Sequence, residues 1–215
     1  DKFIEDISVL YKLGLKVIII HGGGPRIKEE LAKLNIESEF INGLRVTNKQ
    51  TMEVVEKALV DFNIEIIKKL EKKNCKSEGL NVSTNNVIIV DQENKNLGFV
   101  GKPRKIFNEK INIVIDKNVI PVLSPMGKGD DDQKYNINAD TAAAAVAKSL
   151  KSRRLLLMTD VEGVYDENKK LINEIKPSEA KNLINKKIVQ GGMIPKLLNS
   201  IDAIENGVRG VVIID

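Results

Sequence analysis

Short apolar runs recur along the chain, and segments with a helical spacing of apolar residues separate them. The runs are rich in β-branched residues and leucine and are too short for helices, which is typical of buried strands. They cover residues 17–20, 86–90, 111–115, 119–124, 154–158 and 211–215. Several of them are apolar on both faces, as parallel strands that are covered on both sides are.

Between these runs, apolar residues recur every three or four positions, which predicts helices. The predicted helices cover residues 3–13, 26–34, 47–73, 139–150, 178–187 and 193–206. In the first of them, one face carries Phe3, Ile7, Leu10 and Leu13. Gly14 and Gly207 follow two helices as caps, and Thr47 to Gln50 has the form of a capping box. This alternation predicts an α/β fold, a three-layer α/β/α sandwich with a mainly parallel central sheet.

Composition narrows the classes of partner. The chain of 215 residues is 42% hydrophobic and 30% charged, an ordinary globular balance. The net charge is only +4, and 4% of the residues are aromatic. The sequence contains no basic stripe interleaved with aromatic residues, so we expect no nucleic-acid partner. One cysteine and one histidine exclude a Cys/His zinc site and a disulfide, and fit a reducing compartment. The apolar runs are too short to cross a membrane, so we expect no membrane partner.

A strand that runs into three consecutive glycines gives the strongest local signal. The run at 17–20 continues into HGGGP at residues 21–25, where Pro25 opens a helix. Glycine lets backbone N–H groups approach an anion, and a helix N-terminus adds partial positive charge. A tight turn needs only one glycine, so three favour an anion-binding loop. HGGG also occurs in lipases and esterases, but the G-x-S-x-G motif of those enzymes is missing, as are both standard nucleotide-binding glycine motifs.

Further candidate binding residues are polar side chains before the alanine-rich helix at 139–150 and an arginine before the longest helix, at 47–73. Asn136, Asn138 and Asp140 occupy alternate positions. A helix cap needs one such residue, so three indicate a site. Arg45 lies in NGLRVT, residues 42–47, and arginine can bind a carboxylate with two parallel hydrogen bonds. A surface arginine is the alternative. We interpret the loop GKGDDDQ, residues 127–133, as a solvated hairpin tip, because three adjacent aspartates cannot all face one ion.

Two further candidate functional sites are a lysine that follows a second glycine pair and a polar segment that follows a buried strand. Lys196 lies in the first turn of the helix after Gly191 and Gly192, where a cation opposes the helix dipole. This misfit indicates that positive charge is needed near an anion, with a solvated lysine as the alternative. The strand at 155–158 ends before Asp160, at the edge where α/β sheets bind ligands; a simple turn is the alternative there.

The motifs HGGGP, NGLRVT, YNINADTAA, TDVEGVY and GGMIPK, in this order and spacing, resemble the amino-acid kinase family over essentially the whole chain. Within that family the resemblance is to the branch that acts on N-acetylglutamate, and NGLRVT, NINAD and GGMIPK together make it specific. It implies a kinase that transfers the γ-phosphoryl group of MgATP to the side-chain carboxylate of N-acetyl-L-glutamate in arginine biosynthesis. It also implies two lobes, 1–152 for the acyl-amino acid and dimerisation and 153–215 for the nucleotide.

The resemblance implies a role for each motif. The backbone N–H groups of Gly23 and Gly24 hold the carboxylate that is phosphorylated, and Arg45 and Asn136 hold the substrate's α-carboxylate. Asp140 orients the catalytic lysines, and Lys196 stabilises the transferring phosphoryl group. The nucleotide is received by Asp160, Val161, Glu162, Gly163, Val164, Tyr165, Ile188, Val189 and Gln190. No protein metal ligand is implied, because the nucleotide phosphates mainly hold the Mg²⁺.

Phosphoryl transfer demands positioning and positive charge, and a carboxylate acceptor is already ionised at neutral pH. The scarcity of histidine and cysteine is therefore no obstacle. The resemblance further implies a homodimer, with a hexamer as the alternative, and a cytoplasmic location, with the plastid stroma as the alternative.

Departures from the family pattern leave other functions open. The family begins with a strand that carries Lys-x-Gly-Gly, which is missing from residues 1–215, and both ends of the chain lie within predicted elements. We therefore expect a chain truncated at both ends, and a non-catalytic amino-acid or nucleotide sensor is one alternative. Where relatives carry Ser-Gly-x-Asp-Gly, this chain has GLNVSTNNV. N-acetyl-2-aminoadipate is a rival substrate, because one methylene is worth only about 1–3 kcal/mol of discrimination.

Overall fold

The computed structural model describes residues 2–215. The chain is divided into two units. The first unit ends at Ala142, and the second is Ala143–Asp215. The lobes at 1–152 and 153–215 stay a prediction. The helices are α1 (Lys2–Lys12), α2 (Gly24–Lys33), α3 (Lys49–Glu71), α4 (Asn108–Asp116), α5 (Ala139–Ser149), α6 (Pro177–Asn185) and α7 (Met193–Glu205). The strands are β1 (Ile19–Ile20), β2 (Phe40–Ile41), β3 (Leu44–Arg45), β4 (Ser77–Leu80), β5 (Ile88–Gln92), β6 (Gly101–Ile106), β7 (Ile120–Leu123), β8 (Met126–Lys128), β9 (Lys134–Asn136), β10 (Leu155–Met158) and β11 (Val211–Ile214).

A parallel sheet of order β1-β7-β4 forms the centre of the first unit. Every residue of β7 is buried, as its continuous apolar sequence predicts. Helices α1 and α3 pack their apolar faces against this sheet through Ile4, Ile7, Ile66 and Leu70. The predicted face of α1 is wrong at its ends, because Phe3 and Leu13 are exposed and Ile4 is buried instead.

A second sheet of the first unit, of order β6-β5-β8-β9, combines parallel and antiparallel pairs. Strands β8 and β9 form an antiparallel hairpin whose tip is residues 129–133, which confirms the predicted hairpin at the aspartate-rich loop. The hairpin carries Asn136 at the end of β9. A short antiparallel pair, β2 and β3, carries Arg45 in the same unit.

The second unit contains a parallel pair, β10 and β11, with helices α6 and α7. Its core is formed by Val164, Ala180, Val189, Leu197 and Ile201. Gly207 follows α7 with φ of +101°, a left-handed conformation that confirms the predicted cap. The α/β class and the mainly parallel pairing of the predicted strands are confirmed.

One predicted strand, residues 111–115, is wrong: it lies in α4. Ile111 and Val114 are buried, whereas Ile113 is exposed, so the apolar residues follow a helical and not an alternating pattern. The cap of α3 is also shifted by one residue, because Asn48 Oδ1 accepts the N–H of Thr51 at 2.8 Å. Within residues 2–215, no helix is long and apolar enough to span a bilayer.

Candidate active site

A pocket of about 180 Å³ in the first unit brings three of the predicted motifs together. It is smaller than the roughly 300–1,000 Å³ typical of drug-sized sites, so it suits a small ligand. Its wall includes the glycine loop, the β2–β3 hairpin, and the chain from β9 to the start of α5. It is lined by Gly22, Gly23, Gly24, Ile27, Phe40, Gly43, Leu44, Arg45, Leu59, Val100, Pro125, Asn136, Ile137, Asn138 and Ala139.

The glycine loop places the N-terminus of α2 at this pocket. The helix begins at Gly24, and Pro25 at its start has no N–H to leave unpaired. Gly23 is needed for space: a Cβ there would lie 2.6 Å from Leu59 Cδ2. A Cβ on Gly24 would meet no atom within 4 Å, so Gly24 faces open space. The loop thus combines close backbone approach with the positive end of a helix dipole, which is how proteins bind anions through the main chain.

Arg45 supplies a buried positive charge to the same pocket. Its guanidinium lies 4.6 Å above the centre of the Phe40 ring and donates hydrogen bonds to Ser38 Oγ and, at 3.3 Å, to the carbonyl oxygen of Gly24. Burial lowers the pKa of Arg45, but a guanidinium remains charged at neutral pH. The Phe40 ring below the guanidinium and the hydrogen bonds at its edge fix the orientation of the guanidinium plane. The surface-arginine alternative is therefore wrong: the side chain is held in place and available to a carboxylate.

A chain of hydrogen bonds joins Asn136 to Arg45. The Asn136 amide lies 3.4 Å from Thr47 Oγ1 and donates to it, and the Thr47 hydroxyl donates to the carbonyl oxygen of Arg45 at 2.9 Å. Thr47 is fully buried, so its hydroxyl needs these partners. The sequence motif indicated Thr47 only as a helix cap. In the structure it links the Asn136 side chain to the backbone of Arg45, the second residue predicted to bind the same carboxylate.

The three polar residues before α5 have different surroundings. Asn138 caps the helix, because its Oδ1 accepts the N–H of Thr141 at 3.0 Å. Asn136 and Asn138 both line the pocket, as expected for alternate positions of an extended segment. Asp140 lies one residue inside α5 and is half-buried. Its predicted role toward the lysines stays a prediction.

Lys196 lies in the first turn of α7, in the second unit, and is half-buried. Its carbonyl oxygen accepts a hydrogen bond from Ser200 Oγ at 2.7 Å. The preceding Gly191 has φ of +57°, so this helix start requires the left-handed conformation that glycine adopts readily. The role of Lys196 in stabilising a phosphoryl group stays a prediction.

The predicted nucleotide segment follows β10 at its carboxyl end. Asp160, Val161 and Glu162 are exposed, and Tyr165 Oη donates to Glu162 Oε2 at 3.0 Å. That hydrogen bond, together with burial, raises the pKa of the Tyr165 phenol, so the group stays a neutral donor. The loop contains Gly163 at φ of +156°.

Two members of the predicted nucleotide set belong to the core. Val164 and Val189 are buried among the side chains of α6 and α7. The side chains at these two positions are therefore not accessible to a ligand. Ile188 is half-buried and Gln190 is exposed, so the side chains on either side of Val189 are more accessible.

The comparisons with known proteins agree on one family. Residues 1–215 match the amino acid kinase family. The chain is 51% identical over 213 residues to an acetylglutamate kinase of Pelagibacter ubique, covering 99% of this chain and 74% of that protein. It is 41% identical over 216 residues to an acetylglutamate kinase of Ruegeria pomeroyi, covering 100% of this chain and 75% of that protein. A crystal structure of a Streptococcus mutans UA159 protein superposes with a TM-score of 0.93 at 31% identity, covering 99% of this chain and 87% of that one.

Proposed function

Because the chain belongs to the amino acid kinase family, we propose that it transfers the γ-phosphoryl group of ATP to the side-chain carboxylate of N-acetyl-L-glutamate. The relatives named acetylglutamate kinase support this substrate, and their names do not favour N-acetyl-2-aminoadipate or a non-catalytic sensor. The observation that carries the proposal is the small pocket in which the N-terminus of α2 meets Arg45 and Asn136.

The substrate has two carboxylates, and we assign each of them to a different part of the pocket. Arg45 and Asn136 are joined through Thr47 and would bind the α-carboxylate together. The N–H groups of Gly23 and Gly24 would bind the side-chain carboxylate, which must stay accessible on its reacting side. A ligand held at both ends is oriented as well as bound, and orientation is a large part of what a kinase supplies.

In the proposed reaction a carboxylate oxygen of the substrate attacks the γ-phosphorus. The new bond joins that oxygen to phosphorus, and the bond from phosphorus to the β,γ-bridging oxygen breaks. The products are the acyl phosphate and ADP. No proton has to leave the attacking group, since a carboxylate is ionised at neutral pH. The protein therefore contributes positioning and positive charge: Lys196 would neutralise the equatorial oxygens of the transferring group, and Asp140 would orient the lysine.

ATP is part of the proposal, with residues 160–165 and 188–190 as its binding segments. Contacts from Val164 and Val189 would come from the backbone, because their side chains lie in the core. A Mg²⁺ ion held mainly by the nucleotide phosphates is part of the same proposal. Within the described range, no three Asp, Glu, His or Cys side chains lie together as a metal site. When bound, the Mg²⁺ ion would supply positive charge that neutralises the negative charge of the phosphates. A homodimer in the cytoplasm completes the proposal.

The test is a coupled ADP-release assay on the full gene product. MgATP is offered with N-acetyl-L-glutamate, N-acetyl-2-aminoadipate, N-acetyl-aspartate or no acceptor. Trapping with hydroxylamine shows whether the product is an acyl phosphate. We expect the highest kcat/KM with N-acetyl-L-glutamate. Higher kcat/KM with the aminoadipate derivative would change the substrate, and ADP release without any acyl phosphate would reject carboxylate phosphorylation.

A further inference from the structure

His21, the single histidine of the chain, lies buried immediately before the glycine loop. Its ring contacts the long helix α3: it packs edge-on against Phe62, with 5.2 Å between ring centres, and its Nε2 lies 3.1 Å from Asn63 Nδ2. On the other side of the ring, Nδ1 lies 2.9 Å from the carbonyl oxygen of Gly22. The roles given above to the pocket residues do not use this side chain.

The partners of the ring fix which nitrogen carries the hydrogen. Asn63 Nδ2 also lies 2.9 Å from the carbonyl oxygen of Val122, and because a carbonyl only accepts, the amide atom there must be the nitrogen. The same nitrogen therefore donates its second hydrogen to His21 Nε2, which must be unprotonated. The carbonyl oxygen of Gly22 also only accepts, so Nδ1 carries the hydrogen. Both sides of the ring select the same neutral tautomer.

The charge state agrees with this geometry. Burial lowers the pKa of His21, the hydrogen bond to Gly22 opposes that effect, and the positive charge of Arg26 adds to the lowering. Protonation would also set an Nε2–H against the donating amide of Asn63. The imidazole is therefore held neutral, with a defined donor pointing at the glycine loop.

This donor acts on a peptide unit that has little preference of its own. The unit between Gly22 and Gly23 has no Cβ on either side, so sterics restrain its rotation weakly. Because the peptide is planar and trans, the N–H of Gly23 points away from the carbonyl oxygen of Gly22. Holding that oxygen on the His21 side therefore decides where the Gly23 N–H points. Gly23 itself lines the pocket.

We propose that His21 is a positioning residue: by binding the Gly22 carbonyl oxygen through Nδ1–H, it aims the Gly23 N–H at the carboxylate that accepts the phosphoryl group. The inference rests on the proposed function, since it needs that carboxylate as the ligand of the loop. Asn63 takes part indirectly, because its amide selects the tautomer that donates.

Two substitutions of the same residue separate positioning from packing. In His21→Asn, the side-chain nitrogen can occupy the place of Nδ1 and still donate to Gly22, whereas His21→Gln puts its polar group near the place of Nε2 and loses that donor. Misdirecting one donor at a reacting group costs about 10²-fold. We expect kcat to fall by about 10²-fold in His21→Gln and to recover to within about fivefold of the wild type in His21→Asn. The KM for MgATP should stay within about twofold in both.

The free energy of unfolding of both variants is measured in parallel. If His21 only fills space, the two variants lose stability and kcat together, and equal losses of kcat would overturn the proposal. If His21→Gln does not fold, Asn63→Leu replaces it: leucine matches the shape of asparagine but no longer selects the tautomer. In that variant we expect a lower kcat together with a second tautomer of His21.

The tautomer is read directly by ¹⁵N NMR of the ring, which gives one pair of signals because the chain has one histidine. We expect a protonated Nδ1 and an unprotonated Nε2 at neutral pH in the wild type without ligand. A protonated Nε2 would overturn the proposal whatever the kinetics. Failure of the proposed function looks different: the wild type would form no acyl phosphate, and the ring signals, measured without substrate, would still decide whether His21 has the geometry to aim Gly23.

Discussion

The close approach of the glycine loop to α3 gives a prediction with a calculable size. In Gly23→Ala, the new Cβ would lie 2.6 Å from Leu59 Cδ2, well inside the contact distance, and 3.5 Å from Ile27 Cδ1, an ordinary contact. The φ of Gly23 is −166°, outside the left-handed region, and the clash with Leu59 is the cost that this prediction concerns. Leu59 is 1% exposed and cannot move into solvent. Overpacking of this kind costs about 1–3 kcal/mol.

A double-mutant cycle with Leu59→Ala isolates the clash. Leu59→Ala alone should cost about 2–5 kcal/mol and leave a cavity that accepts the new methyl group. The double variant should therefore be more stable than the sum of the single effects by about 1–2 kcal/mol. Urea unfolding followed by circular dichroism measures each free energy of unfolding, with Gly24→Ala, whose Cβ meets no atom within 4 Å, as the control. Additive effects, or a Gly23→Ala protein as stable as the wild type, would refute the reasoning.

Three further predictions concern charge. Arg45→Lys loses the forked hydrogen bonds, so the KM for the acyl-amino acid should rise about 10- to 100-fold in steady-state assays, whereas Arg104→Lys, on the surface, should leave it unaltered. Lys196→Ala should lower kcat by about 10²- to 10³-fold with little effect on the binding of an ATP analogue measured by calorimetry. Lys181→Ala, at a surface ion pair, is the control. Turnover of Lys196→Ala at the wild-type rate would show that Lys196 does not act in the reaction. Because burial lowers the pKa of His21, the unfolded state binds the proton more readily, so the stability that the wild type shows near pH 7 should decline below about pH 6.5 by up to about 1.4 kcal/mol per pH unit. His21→Asn should lack this part of the decline, and identical pH profiles in urea unfolding would contradict it.

The sequence predicts the buried parallel strands better than it predicts the second sheet. The predicted strands at 119–124, 154–158 and 211–215 contain β7, β10 and β11, because parallel strands are apolar and pair within their unit. Strand β6 was missed, since its sequence GKPRKI is polar and pairs at the edge of its sheet. The run at 111–115 was assigned to a strand because five residues rich in isoleucine and valine fit either structure, and only burial of Ile111 and Val114 on one side selects the helix.

The parts of the site that local motifs contain were predictable, and those that depend on distant partners were not. The glycine loop and Arg45 were identified from short stretches whose chemistry is visible in the letters. The partners of His21 could not be identified in this way. Asn63 lies 42 residues away on α3, and the spacing of apolar residues around it indicates a helix but no contact with His21. The local sequence indicates Thr47 only as a cap for the same reason, because its link to Asn136 spans 89 residues.

The arrangement around Arg45 also determines when its flexibility is lost. A long side chain that a ligand immobilises gives up rotamer freedom worth about 0.5–1.5 kcal/mol at the moment of binding. Here the Phe40 ring and the Ser38 hydroxyl already restrain the guanidinium, so that entropy is lost when the β2–β3 hairpin closes. The folding reaction carries the penalty, and association with a small carboxylate is correspondingly less opposed. A hairpin of two-residue strands thereby influences an affinity through preorganisation alone.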